Sequence, residues 1–211
     1  VDVHSQLWMS ANYKFDFGKR SQLIFDGSLR TADLVSQWKQ EIIRFNYLCR
    51  ANKFQVGGGF LFSNAYNYNS PPVATKEYRP FLHLSKRVGI INLRARWETR
   101  LFDTGNDLSV YNRFRLQARY SIPLVTEIST NIDLSDKEVK REVWSLVFSE
   151  ELMYQSREFK CFGFDQNRAY AGIKWQGKKI ALEPGYAGQI IRKSAGKYEW
   201  DNMFMLMFSG N

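Results

Sequence analysis

At 211 residues the chain has the length of one domain spanning 1–211. No apolar run approaches the roughly 18–20 residues of a membrane-spanning helix, which excludes a helical membrane protein and leaves spanning by strands open. A net charge of +9 invites nucleic acid, but the arginines alternate with apolar residues instead of forming a basic helix or loop patch, so no nucleic-acid partner is expected.

In chain order, the first regular run sets Leu7, Met9, Ala11, Tyr13, Phe15 and Phe17 against Trp8, Ser10, Asn12, Lys14 and Asp16. Strict period two marks a β-strand. A tight Gly18–Ser21 segment leads to Leu23, Phe25 and Leu29 opposing Asp26, Ser28 and Arg30. Ile43, Phe45, Tyr47 and Cys49 then oppose Arg44, Asn46 and Arg50, and after Ala51-Asn52-Lys53 the residues Phe54, Val56, Phe60 and Phe62 oppose Gln55, Gly57, Gly59 and Ser63. The glycines at 57–59 mark a thin or bent point. A polar loop from Asn64 to Lys76 precedes a fifth strand, in which Tyr78, Leu82 and Leu84 oppose Arg79, Phe81, His83 and Ser85.

The next hairpin is the most informative stretch. Ile91, Leu93, Ala95, Trp97 and Leu101 share one face, while Asn92, Arg94, Arg96, Glu98 and Arg100 share the other. Past a turn at 103–107, Phe114, Leu116, Ala118, Tyr120 and Ile122 oppose Arg113, Arg115, Gln117 and Arg119. Arginines on one face of neighbouring strands stand about 5 Å apart, which is unfavourable unless anions or carboxylates intervene. The pattern makes sense if the apolar face meets lipid and the charged face lines a lumen. The competing class is a soluble lipocalin-like barrel, which turns the arginines outward to water.

Beyond Pro123, 125–132 reads as a doubtful strand and 133–142 as charged and irregular. Trp144–Tyr154 is a firmer strand, and Gln155–Asp165 a loop. Ala169, Ala171, Ile173 and Trp175 oppose Arg168, Tyr170, Gly172 and Lys174. Ile180–Ile190 forms another strand, and Trp200–Ser209 ends with Phe204, Leu206 and Phe208 against three methionines. Eleven strands have support, and bacterial single-chain barrels are even-numbered, so the doubtful segment is counted as a twelfth. The expected fold is all-β: an antiparallel, transmembrane, up-and-down barrel of 12 strands. Short turns alternate with longer loops, as periplasmic turns and external loops do. Aromatic content of 16% suits interfacial girdles. The chain enters a strand pattern almost at Val1, which reads as a mature exported product with its signal removed.

Several motifs taken together, Arg94-x-Arg96-x-Glu98-x-Arg100, Tyr111-Asn112-Arg113-Phe114-Arg115, Ser149-Glu150-Glu151-Leu152 and Phe164-Asp165-Gln166-Asn167-Arg168-x-Tyr170-x-Gly172, resemble the domain-of-unknown-function family 2490. The resemblance covers nearly the whole chain. It implies an outer-membrane barrel of a Bacteroidota species, with outer-membrane lipids and lipopolysaccharide, and other outer-membrane proteins, as partners. It implies no reaction.

The candidate lumen residues are Arg94, Arg96, Glu98, Arg100, Arg113, Arg115, Arg119, Glu151 and Arg168. Two outcomes follow from them. In one, Glu98, Glu151, Glu183, Glu41 and Glu77 reach across and close the lumen, as in small filled barrels, giving a structural or partner-binding protein. In the other, the arginines form a narrow anion-selective channel for acidic sugars or phosphates. A minor alternative is a lipid hydrolase built on His83 and Ser85, which share a strand face. No matching Asn motif supports it, and both side chains point inward, so no catalytic residue is assigned. With His4 and His83 the only histidines, no metal site and no cofactor are expected. Cys49, on an apolar face, and Cys161, in a loop, fall at opposite ends and predict no disulfide. Arg157, Lys160, Arg192, Lys193 and Lys197 fall in external loops, where they would either meet lipopolysaccharide phosphates or lie solvated.

Overall fold

The computed structural model describes residues 2–32, 37–67, 73–105, 107–129, 140–157, 162–193 and 197–210. Among them there is no helix. Eleven strands follow in chain order: β1 (Asp2–Phe17), β2 (Ser21–Ala32), β3 (Gln37–Ala51), β4 (Phe54–Asn67), β5 (Val73–Val88), β6 (Ile91–Asp103), β7 (Leu108–Ser129), β8 (Lys140–Arg157), β9 (Gly163–Gln176), β10 (Ile180–Arg192) and β11 (Tyr198–Gly210). They close into one barrel in sequence order.

The closure corrects the expected count of twelve. An odd number of strands cannot close with every neighbour antiparallel, and here β1 and β11 pair in parallel, from Asp2 opposite Glu199 to Tyr13 opposite Gly210. All other neighbours are antiparallel. Of the segment counted as a twelfth strand, 125–129 are the continuation of β7, and 130–132 lie outside the described residues. Proline lacks the N–H that the ladder needs, and the register shifts between Pro123 and Val125 before pairing resumes with Trp144. Such a shift absorbs the proline without ending the strand. The charged stretch 133–142 contributes its last three residues to β8, and its remainder lies outside the described residues. Cys49 is a free thiol, and Cys161 also lies outside the described residues.

Turn chemistry agrees with the short connections at one rim. Asn52, in the two-residue link between β3 and β4, has φ 55°, and Gly89 between β5 and β6 has φ 59°. Asn and Gly are the residues that enter this left-handed region most readily.

Alternation sorts the side chains as the sequence predicts. Large apolar residues such as Phe15, Phe45, Leu82, Leu93, Leu116, Phe148, Ile173 and Phe204 are exposed on the outer face. Charged and polar residues, Glu77, Arg79, Arg96, Glu98, Arg113, Glu151 and Glu183 among them, are buried inside. The lipocalin-like arrangement would require the reverse. The outer face carries some polar exceptions, and two pairs of them are hydrogen-bonded on that surface. The Asn167 amide donates to Glu150 at 2.5 Å, and the Thr99 hydroxyl donates to Asn112 at 3.1 Å.

Apolar side chains help fill the middle. Trp8, Val147, Tyr170, Ala187 and Met203 form one buried cluster, with Met205 and Met207 packed against it, while Ile42, Leu61 and Phe81 form another. Glycines make room for the rings. Gly172 and Gly185 stand opposite each other on β9 and β10, and Tyr170 folds over both. A Cβ on Gly185 would lie 2.4 Å from the Tyr170 hydroxyl and 2.5 Å from its ring. The ring's position lets that hydroxyl donate to Glu183 at 2.9 Å.

Gly185→Val should therefore displace the phenol, break that bond and cost about 1–3 kcal/mol, the usual range for overpacking. Urea unfolding of the refolded chain measures it, and adding Tyr170→Ala should recover part of the loss. An unchanged midpoint for Gly185→Val would contradict the packing described.

Candidate functional site

The interior charges follow from the register of β5 to β8. Arg96 stands opposite Arg115 on β7, an unfavourable pair by itself. Two residues along on the same faces, Glu98 stands opposite Arg113. A carboxylate placed there reaches its direct neighbour and both diagonal ones, because same-face residues on adjacent strands lie within reach of long side chains.

Glu98 is fully buried and serves as the hub. Arg113 donates to its Oε2 through Nη2 at 2.6 Å and Nε at 2.9 Å. Arg115 Nη1 donates to Oε1 at 2.9 Å, and Arg79 and Arg96 approach at 3.5 Å each. Two further carboxylates extend the lattice. Glu77 accepts from Arg79 at 2.7 Å and from Arg100 at 2.6 Å. Glu151 accepts from Arg115 at 2.7 Å, with Arg94 and Arg168 at 3.6 Å. Arg115 thus links Glu98 to Glu151, and Arg79 links Glu98 to Glu77. Lower in affiliation, Glu183 on β10 forms a separate pair with Arg119 at 2.6 Å.

All nine candidate lumen residues face the interior, and eight of them join the Glu77–Glu98–Glu151 lattice; Arg119 joins Glu183 instead. Of the five carboxylates expected to reach across, four do so. Glu41 does not: it is exposed and shares the outer face of β3 with Ile43 and Phe45. Its odd position already implied this.

Three interior arginines fell outside the candidate set: Arg30, Arg44 and Arg79. None of them has a second arginine two residues away on its strand, so no run of arginines flags it. Arg30 lies 3.7 Å from the Trp8 ring and Arg168 lies 4.7 Å from the same ring. A tryptophan on the polar face of β1 was the one available signal, since an indole is a favoured partner for guanidinium. Towards the rim that carries Lys39, Lys193 and Glu199, these residues border a cavity of about 270 Å³.

The His83–Ser85 pair does not form a nucleophile and base. The Ser85 hydroxyl is directed to Gln55, 3.4 Å from its Oε1, and the His83 ring stacks on Phe81 with centroids 6.2 Å apart. His83 Nδ1 is buried without a partner. Among the described residues no group of His, Cys, Asp or Glu is arranged to hold a metal. Of the expected external-loop cations, Lys193 pairs with Glu199 at 2.8 Å, Arg157, Arg192 and Lys197 are exposed, and Lys160 lies outside the described residues.

No curated protein and no solved structure matches the chain. A family model matches over residues 5–200, a span that takes in β2 to β10 whole and every charge of the lattice described above. The chain belongs to the family described as protein of unknown function DUF2490.

Proposed function

We propose that this chain is an outer-membrane β-barrel of a Bacteroidota cell whose lumen is closed by its arginine–glutamate lattice, and that its role is structural or partner-binding rather than catalytic or conducting. The observation that carries the reading is Glu98: it has no exposed surface and takes guanidiniums from β5, β6 and β7. Ions crossing the lumen would have to displace this lattice and the apolar clusters beside it. The outward apolar face supports the membrane setting, as do the strand lengths. A 13-residue strand runs about 43 Å, and at a typical barrel tilt of about 40° it spans about 33 Å, enough for a hydrocarbon core of about 30 Å. Outer-membrane lipids are the contacts this face suits, and lipopolysaccharide phosphates are partners for the exposed cations at the rim.

The competing reading is a narrow anion-selective channel. The arginine-bordered cavity favours it, since fixed positive charge concentrates anions. The lattice opposes it, because Arg94, Arg96, Arg113 and Arg115 are committed to carboxylates.

Replacing Leu93 or Leu116 with Arg should block folding into lipid vesicles, at a cost of about 2–4 kcal/mol if the site is mid-membrane. Folding yield measured by heat-modifiable gel migration checks this, and tolerance of both changes would overturn the membrane topology.

The refolded protein should give near-zero conductance in planar bilayers. Removing Arg96 and Arg115 together should leave conductance near zero yet lower stability. Glu98→Gln should cost about 3–5 kcal/mol in urea unfolding, because it strands several buried guanidiniums. Stable anion-selective conductance of the unaltered protein would overturn the closed reading.

A further inference from the structure

The interior carries more arginine than carboxylate: seven arginines share Glu77, Glu98 and Glu151 in the lattice, and towards one rim Arg30 and Arg44 add to them. In the lattice, each carboxylate is shared by two or more arginines at short range. The cavity of about 270 Å³ is different. Arg30 donates through Nη1 to Gln40 at 2.8 Å and packs on Trp8, but its Nε is buried without a partner, and no carboxylate pairs with it among the described residues. Among the described residues the one carboxylate that Arg44 reaches is Asp26, at 3.6 Å, and its Nε is also unpartnered. Arg168 is held chiefly by the neutral Gln189, at 2.6 Å, with Glu151 a full ångström further away. A guanidinium stays charged at every accessible pH, and burying it without an anion is costly. Arg30 has no carboxylate partner among the described residues, and Arg44 and Arg168 have only a distant one each; bordering one cavity, the three leave room for a further negative charge.

We propose that this cavity binds a phosphomonoester, with the phosphoryl group held by Arg30, Arg44 and Arg168 and a polyhydroxylated body held beside Asp201 on β11. The planar fork of arginine matches the oxygens of a phosphoryl group two at a time, which neither chloride nor a lone hydroxyl can exploit. On β11, in the stretch of wall between β9 and β2, Asp201 is buried with Oδ1 unpartnered. A carboxylate there repels a second phosphate and accepts hydrogen bonds from hydroxyls. The volume lies just below the roughly 300–1,000 Å³ of drug-sized sites, the scale of one phosphorylated sugar and not of an oligosaccharide. The site rests on the closed-lumen reading, since a lattice beneath the cavity is what makes it a pocket and not a stretch of pore.

The test uses the full chain refolded in detergent micelles. Equilibrium dialysis against glucose 6-phosphate should show saturable binding of one ligand per chain, which glucose does not compete away. Arg30→Gln should weaken it at least tenfold. Arg30→Lys should recover only part, because it restores the charge without the fork. Arg87→Gln, an exposed change at the opposite rim, should leave affinity unchanged. Should Arg30→Gln fail to fold, as read by heat-modifiable migration, Arg44→Gln takes its place with a loss of several-fold. A second arm uses phosphatidylcholine vesicles with and without lipid A. Lipid A–dependent binding that Arg30→Gln abolishes assigns the phosphate to a lipid headgroup, whereas binding of the soluble ester alone assigns it to a free solute. No saturable binding in either arm, or equal affinity in the arginine variants, overturns the site. Conductance distinguishes the two levels. An anion-conducting barrel that still binds the ester overturns the closed lumen alone, and a closed barrel that binds no phosphate overturns the site alone.

Discussion

The interior is organised around a single carboxylate. Arg96 and Arg115 face each other across β6 and β7, and without Glu98 their repulsion would oppose the very register that places them. With Glu98 two residues away, each guanidinium has an acceptor, and the same carboxylate draws in Arg79 from β5 and Arg113 from β7. Slipping either strand by one residue would turn its arginines to the outer face and its apolar residues inward. The lattice and the apolar exterior therefore specify the same register from opposite sides of the wall. Agreement between independent constraints is what singles out one structure among many with similar alternation.

The alternation that defines each strand was legible because it is local. From Leu7 to Phe208, neighbours two apart settle which face a residue takes, and the structure follows that parity. Closure was not legible. Nothing in β1 or β11 distinguishes a parallel from an antiparallel partner, since the apolar and polar faces alternate identically in either direction. The even-strand rule then forced a twelfth strand onto 125–132, where Pro123 appeared to end its predecessor. A proline ends a ladder only if the register on its far side cannot be recovered, and the shift between Pro123 and Val125 recovers it.

The candidate site divides along the same line. Arg94, Arg96, Glu98 and Arg100 announce themselves as a run on one strand, as do Arg113, Arg115 and Arg119 on the next. Their shared destination needs only the hairpin that joins them. Trp8, Arg30 and Arg44 sit on β1, β2 and β3, and Arg168 on β9. What brings Arg168 to Trp8 is the closure of the wall through β10, β11 and β1, a long-range arrangement that no window of sequence contains. Whether an arginine is neutralised or left with spare charge depends on how many carboxylates converge on it after closure.

Ion pairs are an expensive filling for such an interior. Desolvating the charges costs several kcal/mol per ion, and a well-packed apolar core of equal volume is often as stable or more so. That comparison assumes water outside. In the proposed membrane setting, a wall with apolar side chains on its outer face gains little by making the inner face apolar as well. The two faces would then be interchangeable, and a one-residue slip or an everted sheet would cost almost nothing. The arginine–glutamate face removes that ambiguity, because an unpaired guanidinium turned to hydrocarbon carries a penalty of about 2–4 kcal/mol at the midplane. With the arginines at 30, 44, 79, 94, 96, 100, 113, 115, 119 and 168 facing inward, eversion in a bilayer would be blocked many times over. What the lattice loses in net stability it returns as a single allowed orientation of the wall. An interior already committed to charge can also leave a few guanidiniums short of carboxylate near a rim, where an incoming anion completes them.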